Sequence, residues 1–187
     1  MAKLDKFGFS SSYGIVKANG HFPGQIYGVL GVKIAVPAQI DPTEEPYTFG
    51  FGEIVAIVKD SKGAYLIRPI KTSDTSLPSM LGVIERNVVG GTDVSGGKID
   101  DLKDNVAYSV WLLADIQYGK IVVPFKDTTS AVIGGQVYLG NGLGGTVAGA
   151  VYASSGTGKV AITGWKFDDE EFEPSFSSAK AVAIAQR

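Results

Sequence analysis

The chain contains no cysteine and a single histidine. Without cysteine there is no disulfide framework and no thiolate metal site, so the fold must hold without staples in either redox compartment. With His21 the only histidine, a multi-histidine metal centre is excluded, and any Ser–His–acid triad would have to be built on this one residue. His21 sits in Gly-His-Phe-Pro-Gly near the start of the chain, a poor setting for a rigid catalytic base. It reads as a loop histidine stacking on Phe22. A basic excess is lacking as well. Seventeen Lys and Arg stand against 19 Asp and Glu, a net charge of −2. That balance offers little to neutralise a phosphate backbone, so no nucleic-acid partner is expected. No apolar run approaches the ~20 residues of a membrane helix. The opening MAKLDKFGFSSSYG has no apolar core of signal-peptide length. The chain is therefore expected to be soluble, made in the cytoplasm, and without a membrane partner.

Glycine is present in excess. The 25 glycines among 187 residues are spread along the chain without a collagen-like period. Many short strands joined by tight turns need this, because glycine supplies the positive-φ positions of hairpins. Hydrophobic residues make up 44%, enough for a core. Alternation and β-branched content predict strands at Ile26–Val36, Glu53–Lys59, Ala64–Ile70, Leu81–Arg86 and Tyr108–Ala114, and again at Lys120–Phe125, Gln136–Leu139, Thr146–Ala153, Lys159–Phe167 and Ala179–Ala185. Asp60-Ser61-Lys62-Gly63 joins the second and third of these as a hairpin. Helix signals are confined to one turn at Asp100 to Asn105 and to the Ala-rich C-terminus, whose alternation fits a closing strand at least as well.

Two regions stand apart. Residues 1–23 are aromatic and glycine–serine rich without a clear period, and PAQIDPTEEPYTFGFG reads as a long proline- and acid-rich loop at about 37–52. The expectation is an all-β protein: an irregular N-terminal arm, 1–23, and a single β domain, 24–187, built as a small β-barrel or β-sandwich-like fold.

Three motifs invite chemistry. Gly140, Gly142 and Gly145 in GQVYLGNGLGGT give the G-x-G-x-x-G spacing of a dinucleotide site, which requires a helix opening at the last glycine and an acid about 20 residues on. Here β-branched residues and further glycines follow, so the pattern reads as a turn with Asn141-Gly142 at its corner. SSGTGKV at 154–160 resembles the end of a P-loop. Ala153 stands where the first glycine belongs, and Val160 stands where a magnesium-binding hydroxyl belongs. The acids Asp168, Asp169, Glu170, Glu171 and Glu173 lack the alternation and bend of a calcium loop, and read as a solvated loop between strands. No catalytic, metal or cofactor site is assigned.

The order of features from about residue 50 to 187 resembles the capsid cement, or head decoration, proteins of tailed bacteriophages. The residues that carry the resemblance are Gly52-Glu53-Ile54-Val55, then Arg68-Pro69, then Leu77-Pro78-Ser79-Met80-Leu81-Gly82-Val83-Ile84-Glu85-Arg86 and Tyr108-Ser109-Val110-Trp111. Gly119-Lys120-Ile121-Val122-Val123-Pro124-Phe125, Gly134-Gly135-Gln136-Val137-Tyr138 and Gly164-Trp165-Lys166-Phe167 follow, before the closing Ala-Val-Ala-Ile run. The resemblance implies a non-enzymatic virion protein on the outer surface of the capsid. Its partner would be the major capsid protein, its role to tie neighbouring capsomers together, and its state a possible trimer of like copies. Such a protein gains affinity by repeating a modest interface, and aromatic side chains dominate interface energetics. Lys3, Lys6, Phe7, Phe9, Tyr13 and Phe22 of the arm are accordingly the candidate capsid-docking residues. The same aromatics could equally fold back on the chain's own core. Two other functions compete. A virion-surface module recognising a host glycan would stack sugars on Trp111, Trp165 and tyrosines, and a glycosidase would use the acids near 168–173.

Overall fold

The computed structural model describes residues 23–27, 36–44, 47, 49–74, 76–85, 108–116, 119–171 and 180–186. The protein is all-β. Among the described residues eleven strands run in chain order: β1 (Ile26–Tyr27), β2 (Val36–Ile40), β3 (Ile54–Lys59), β4 (Tyr65–Arg68), β5 (Leu81–Ile84), β6 (Tyr108–Leu112), β7 (Lys120–Pro124), β8 (Gln136–Gly140), β9 (Val151–Tyr152), β10 (Lys159–Phe167) and β11 (Ala181–Gln186). Among the described residues the helical turns are three-residue 3-10 segments at Pro42–Glu44, Leu113–Asp115 and Leu143–Gly145.

Strands β2, β4, β3, β5 and β6 close into a barrel in that order, with β2 and β4 parallel and the other pairs antiparallel. The second sheet is antiparallel throughout, in the order β1-β7-β11-β10-β8-β9. It curls far enough that Phe125, just past β7, bridges Val151 of β9, and the Lys126 N–H donates to the Val151 carbonyl at 3.1 Å.

Two-residue alternation along β3 explains how the sheets combine. Val55 and Ile57 face the barrel interior with Phe49, Ile67, Ile84 and Val110. Ile54 and Ala56 point the other way, into a larger core with Ile121, Val123, Phe125, Phe167 and Ile184 of the second sheet. A strand buried on both faces reads as a continuous apolar run, and IVAIVK does. Phe125 and Phe167 meet edge to face, with ring centroids 6.0 Å apart, in the preferred aromatic geometry. Backbone bonds link the sheets as well: the Gly149 carbonyl accepts from the Ile54 N–H at 3.0 Å.

Hairpin β3–β4 forms as expected, its turn fixed by the Asp60 carboxylate, which accepts from the Lys62 and Ala64 N–H groups at 2.8 Å each. The C-terminal run is a strand, placed between β7 and β10. Three expectations need correction. The run Ile26–Val36 is not one strand, because β1 pairs with β7 in one sheet while Val36 begins β2 of the barrel. The loop expected at about 37–52 starts later, since Val36–Ile40 is β2 and Pro37 lies opposite Ser109 of β6. Thr146–Ala153 is a strand only at Val151–Tyr152, and residues 146–150 belong to a turn-rich loop. The one-turn helix expected at Asp100 to Asn105 lies outside the described residues.

Candidate interaction surface

The residues expected to dock, Lys3, Lys6, Phe7, Phe9, Tyr13 and Phe22, lie outside the described residues, as do His21 and Glu173. No helix follows β8. The chain makes a single 3-10 turn in which Gly142, Gly144 and Gly145 all have positive φ. Asn141, buried to 4% exposure, controls the corner. Its Oδ1 accepts from the Leu143 N–H at 3.0 Å, and its Nδ2 donates to the Asp74 carbonyl at 3.0 Å. A dinucleotide site needs N–H groups left free at a helix start, and here the N–H groups of Asn141, Gly142, Leu143 and Thr146 are engaged locally. The Gly142 N–H donates to Thr146 Oγ1, the Asn141 N–H to the Gly158 carbonyl, and the Val147 N–H to the Tyr152 hydroxyl at 2.7 Å.

The P-loop-like segment lies against this corner. At Gly158 (φ +75°) an added Cβ would stand 2.0 Å from the Leu143 carbonyl oxygen, so the two loops are in backbone contact there. Asp127 secures the segment from below. One of its oxygens accepts from the Ala153 N–H (2.9 Å), the Ser154 N–H (2.8 Å), the Ser154 hydroxyl (2.7 Å) and Lys159 Nζ (3.3 Å). Burial alone would raise the Asp127 carboxyl, but the Ser154 hydroxyl, the backbone donors and Lys159 outweigh it and hold it well below the ordinary carboxylate range. Lys159 Nζ also donates to Ser154 Oγ at 2.9 Å and lies over the Tyr152 ring at 4.6 Å. A Ser–Lys pair acts as nucleophile and base only with a neutral amine. Here Lys159 Nζ is paired with the Asp127 carboxylate as well as with Ser154, and the cluster is a clamp on the loop.

The described acids of the other candidate chemistry are engaged as well. Asp168 pairs with Lys120 of β7, and Glu171 accepts from the Ala131 N–H at 2.8 Å and faces Lys180 at 3.7 Å. Asp169 accepts from the Glu170 N–H at 2.9 Å. Trp165 is buried in the core at 3% exposure, and Trp111 packs against that core with its indole N–H buried and without a partner. Trp165 is closed to a sugar ring, and Trp111 is half-buried against the core.

What the structure does display is apolar. Among the described residues the exposed large hydrophobics are Val132 (68%), Ile133 (56%), Leu143 (46%) and Val147 (48%). All four fall in the stretch from Thr128 to Gly158, which contains no Asp, Glu, Lys, Arg or His. Val132 and Ile133 occupy a tight turn before β8, closed by Gly135 N–H to the Val132 carbonyl (2.8 Å) and pinned by Gly134 N–H to the Phe167 carbonyl (2.7 Å). Leu143 and Val147 occupy the clamped loop after β8. Exposed apolar side chains on hydrogen-bonded turns, in a stretch of sequence without charge, are surface available to another protein. Sequence reasoning missed these four residues because each looks like core. The uncharged run was the available signal.

No protein-family model matches the sequence, and no curated protein matches it. Among solved structures the chain is similar to one from "The capsid of Myoviridae Phage XM1", at 17% identity and a TM-score of 0.47. The match covers 84% of this chain and 93% of that one.

Proposed function

We propose that this chain is a non-enzymatic structural protein of a phage virion, one that binds the outside of the capsid and stabilises contacts between neighbouring capsomers. The observation that carries this reading is the concentration of exposed large apolar side chains in one uncharged, hydrogen-bonded stretch, a surface suited to another protein rather than to a small molecule. The order of strand and turn residues from about 50 to 187, which resembles capsid cement proteins, supplies the class of partner: the major capsid protein. The burial of Trp165 and the packing of Trp111 against the core weigh against the glycan-binding alternative. The clamping roles of Asp127, Asp168 and Glu171 favour a structural assignment for the polar clusters that first suggested chemistry.

Co-sedimentation of the purified protein with expanded capsids lacking it tests the reading. Saturable binding at a fixed number of copies per capsomer is expected. Absence of binding, with specific capture of the protein on a glycan array, would replace the proposal with the host-recognition module.

A further inference from the structure

Asn141 is followed by Gly142, and the pair carries a chemistry of its own. A backbone nitrogen can attack the amide carbon of the asparagine side chain before it, and glycine, lacking a Cβ, hinders that attack least. In this reaction the Gly142 nitrogen forms a bond to Asn141 Cγ. The Cγ–Nδ2 bond breaks, and Nδ2 leaves as ammonia with the proton lost from Gly142. Water then opens the cyclic imide at either of its carbonyls. Asn141 becomes aspartate or isoaspartate, and the chain gains a negative charge.

The groups this reaction needs are held elsewhere in the folded chain. The Gly142 N–H donates to Thr146 Oγ1 at 3.1 Å, and Thr146 Oγ1 donates in turn to the Leu143 carbonyl at 2.9 Å. The side-chain amide is fixed at both ends. Nδ2 donates to the Asp74 carbonyl and Oδ1 accepts from the Leu143 N–H, each at 3.0 Å. The anchor is itself restrained, because Arg68 and the Lys71 N–H grip the Asp74 carboxylate. At 4% exposure Asn141 meets little of the water that the second step consumes.

The products do not fit this corner. Aspartate at 141 has no donor for the Asp74 carbonyl and sets a carboxylate oxygen against it, and a buried charge without a partner is costly. Isoaspartate adds a methylene to the main chain, within a turn that left-handed Gly142, Gly144 and Gly145 already define.

We propose that Asn141–Gly142 is a self-modification site, shut by the bonds to Asp74, Leu143 and Thr146 and exposed by local opening of the loop. Such an opening requires less free energy than global unfolding. Conversion leaves the loop unable to close as before, so the segment that displays Leu143 and Val147 carries a one-way change set by how often it opens.

The test keeps the full chain at mildly alkaline pH, folded and in denaturing urea. Peptide mass follows Asn141 and separates it from Asn19, the other asparagine followed by glycine. Conversion is expected to be at least about tenfold slower in the folded chain, because several buried hydrogen bonds must break together. T146V frees the Gly142 N–H, and R68A loosens Asp74, while both keep the Asn-Gly pair. In each, conversion should rise about threefold or more over the folded wild type, in step with amide exchange at Leu143. Thermal melting confirms that each variant folds, and the wild type in urea below its transition supplies the same comparison without a substitution. The converted protein, separated by ion exchange on its added charge, should exchange the Leu143 amide faster than the unconverted one. Absence of conversion in urea would remove the site, and equal rates in folded and unfolded chains would remove its protection. Conversion that does not follow Leu143 exchange would overturn the role of loop opening. Wild-type exchange at Leu143 in the converted protein would overturn the one-way change.

Discussion

Asn141 Nδ2 donates to the backbone carbonyl of Asp74, 67 residues away, across 3.0 Å. This bond ties the loop that displays Leu143 to the segment leaving the barrel. Asp74 is itself gripped by Arg68 of β4 through two bonds of 2.9 and 3.1 Å and by the Lys71 N–H at 2.8 Å. The Arg68 guanidinium holds the Asp74 carboxyl below its ordinary range, so the pair stays ionised. A line of polar contacts thus runs from barrel to loop: Arg68, Asp74, Asn141, Leu143. Asn141→Ala breaks it and strands buried polar groups. The expected cost is about 1–3 kcal/mol in urea unfolding, together with faster amide exchange at Leu143. An unchanged unfolding midpoint would contradict the assigned role.

Asp127 sets the acid limit of this clamp. Its folded pKa lies below the ordinary 3.8. Its contribution is therefore complete at pH values above that figure and is lost as pH falls through the lower folded value. Asp127→Asn should cost about 2 kcal/mol or more at neutral pH, since it leaves the mostly buried Lys159 without its counter-charge. It should also flatten the loss of stability below pH 4. Parallel acid profiles for wild type and variant would refute this.

Glu53 behaves with the opposite sign. It is half-buried at the sheet junction, where it accepts from the Tyr47 hydroxyl and the Gly50 N–H at 2.7 Å each. Burial raises its pKa above the ordinary 4.5, and these two donors offset that only in part. Its contribution is full below pH 4.5 and is lost as pH rises through the folded value. Urea midpoints of Glu53→Gln should therefore vary less with pH than wild type between about pH 4.5 and neutrality. The same slope in both proteins would show that Glu53 does not titrate in this window.

Two glycines of similar φ separate backbone strain from steric contact. Gly63 (φ +84°) has nothing within 4 Å of an added Cβ, whereas at Gly158 (φ +75°) that atom would meet the Leu143 carbonyl oxygen at 2.0 Å. Gly63→Ala should cost about 1–2 kcal/mol, the price of the left-handed backbone alone. Gly158→Ala should cost clearly more and should disturb the Leu143 loop in amide exchange. Equal costs would mean that the two loops are not in contact in solution.

The sequence made much of this fold legible, where local pattern and tertiary demand agree. Lys159–Phe167 has the bounds that its alternation indicates, and β3–β4 has the turn that Asp60 and Gly63 indicate. Reading failed where a residue's usual meaning was overruled by its surroundings. Pro37 marks a loop in most contexts, yet it sits in β2 opposite Ser109. Thr146 to Ala150 has strand composition, but its backbone is spent inside the loop: Gly149 N–H bonds the Gly140 carbonyl, Ala150 N–H bonds the Val147 carbonyl, and Gly149 is left-handed. The candidate surface was legible only in part. An uncharged run can be read from residue types, but Ile133 is distinguished from a core isoleucine only by the turn that holds it outward.

The central claim is that the protein joins capsid subunits, and the most direct measurement is the temperature at which expanded capsids open, with and without the bound full-length chain. The account predicts a higher opening temperature at saturation. Capsids that are fully occupied yet open at the same temperature as bare ones would contradict it.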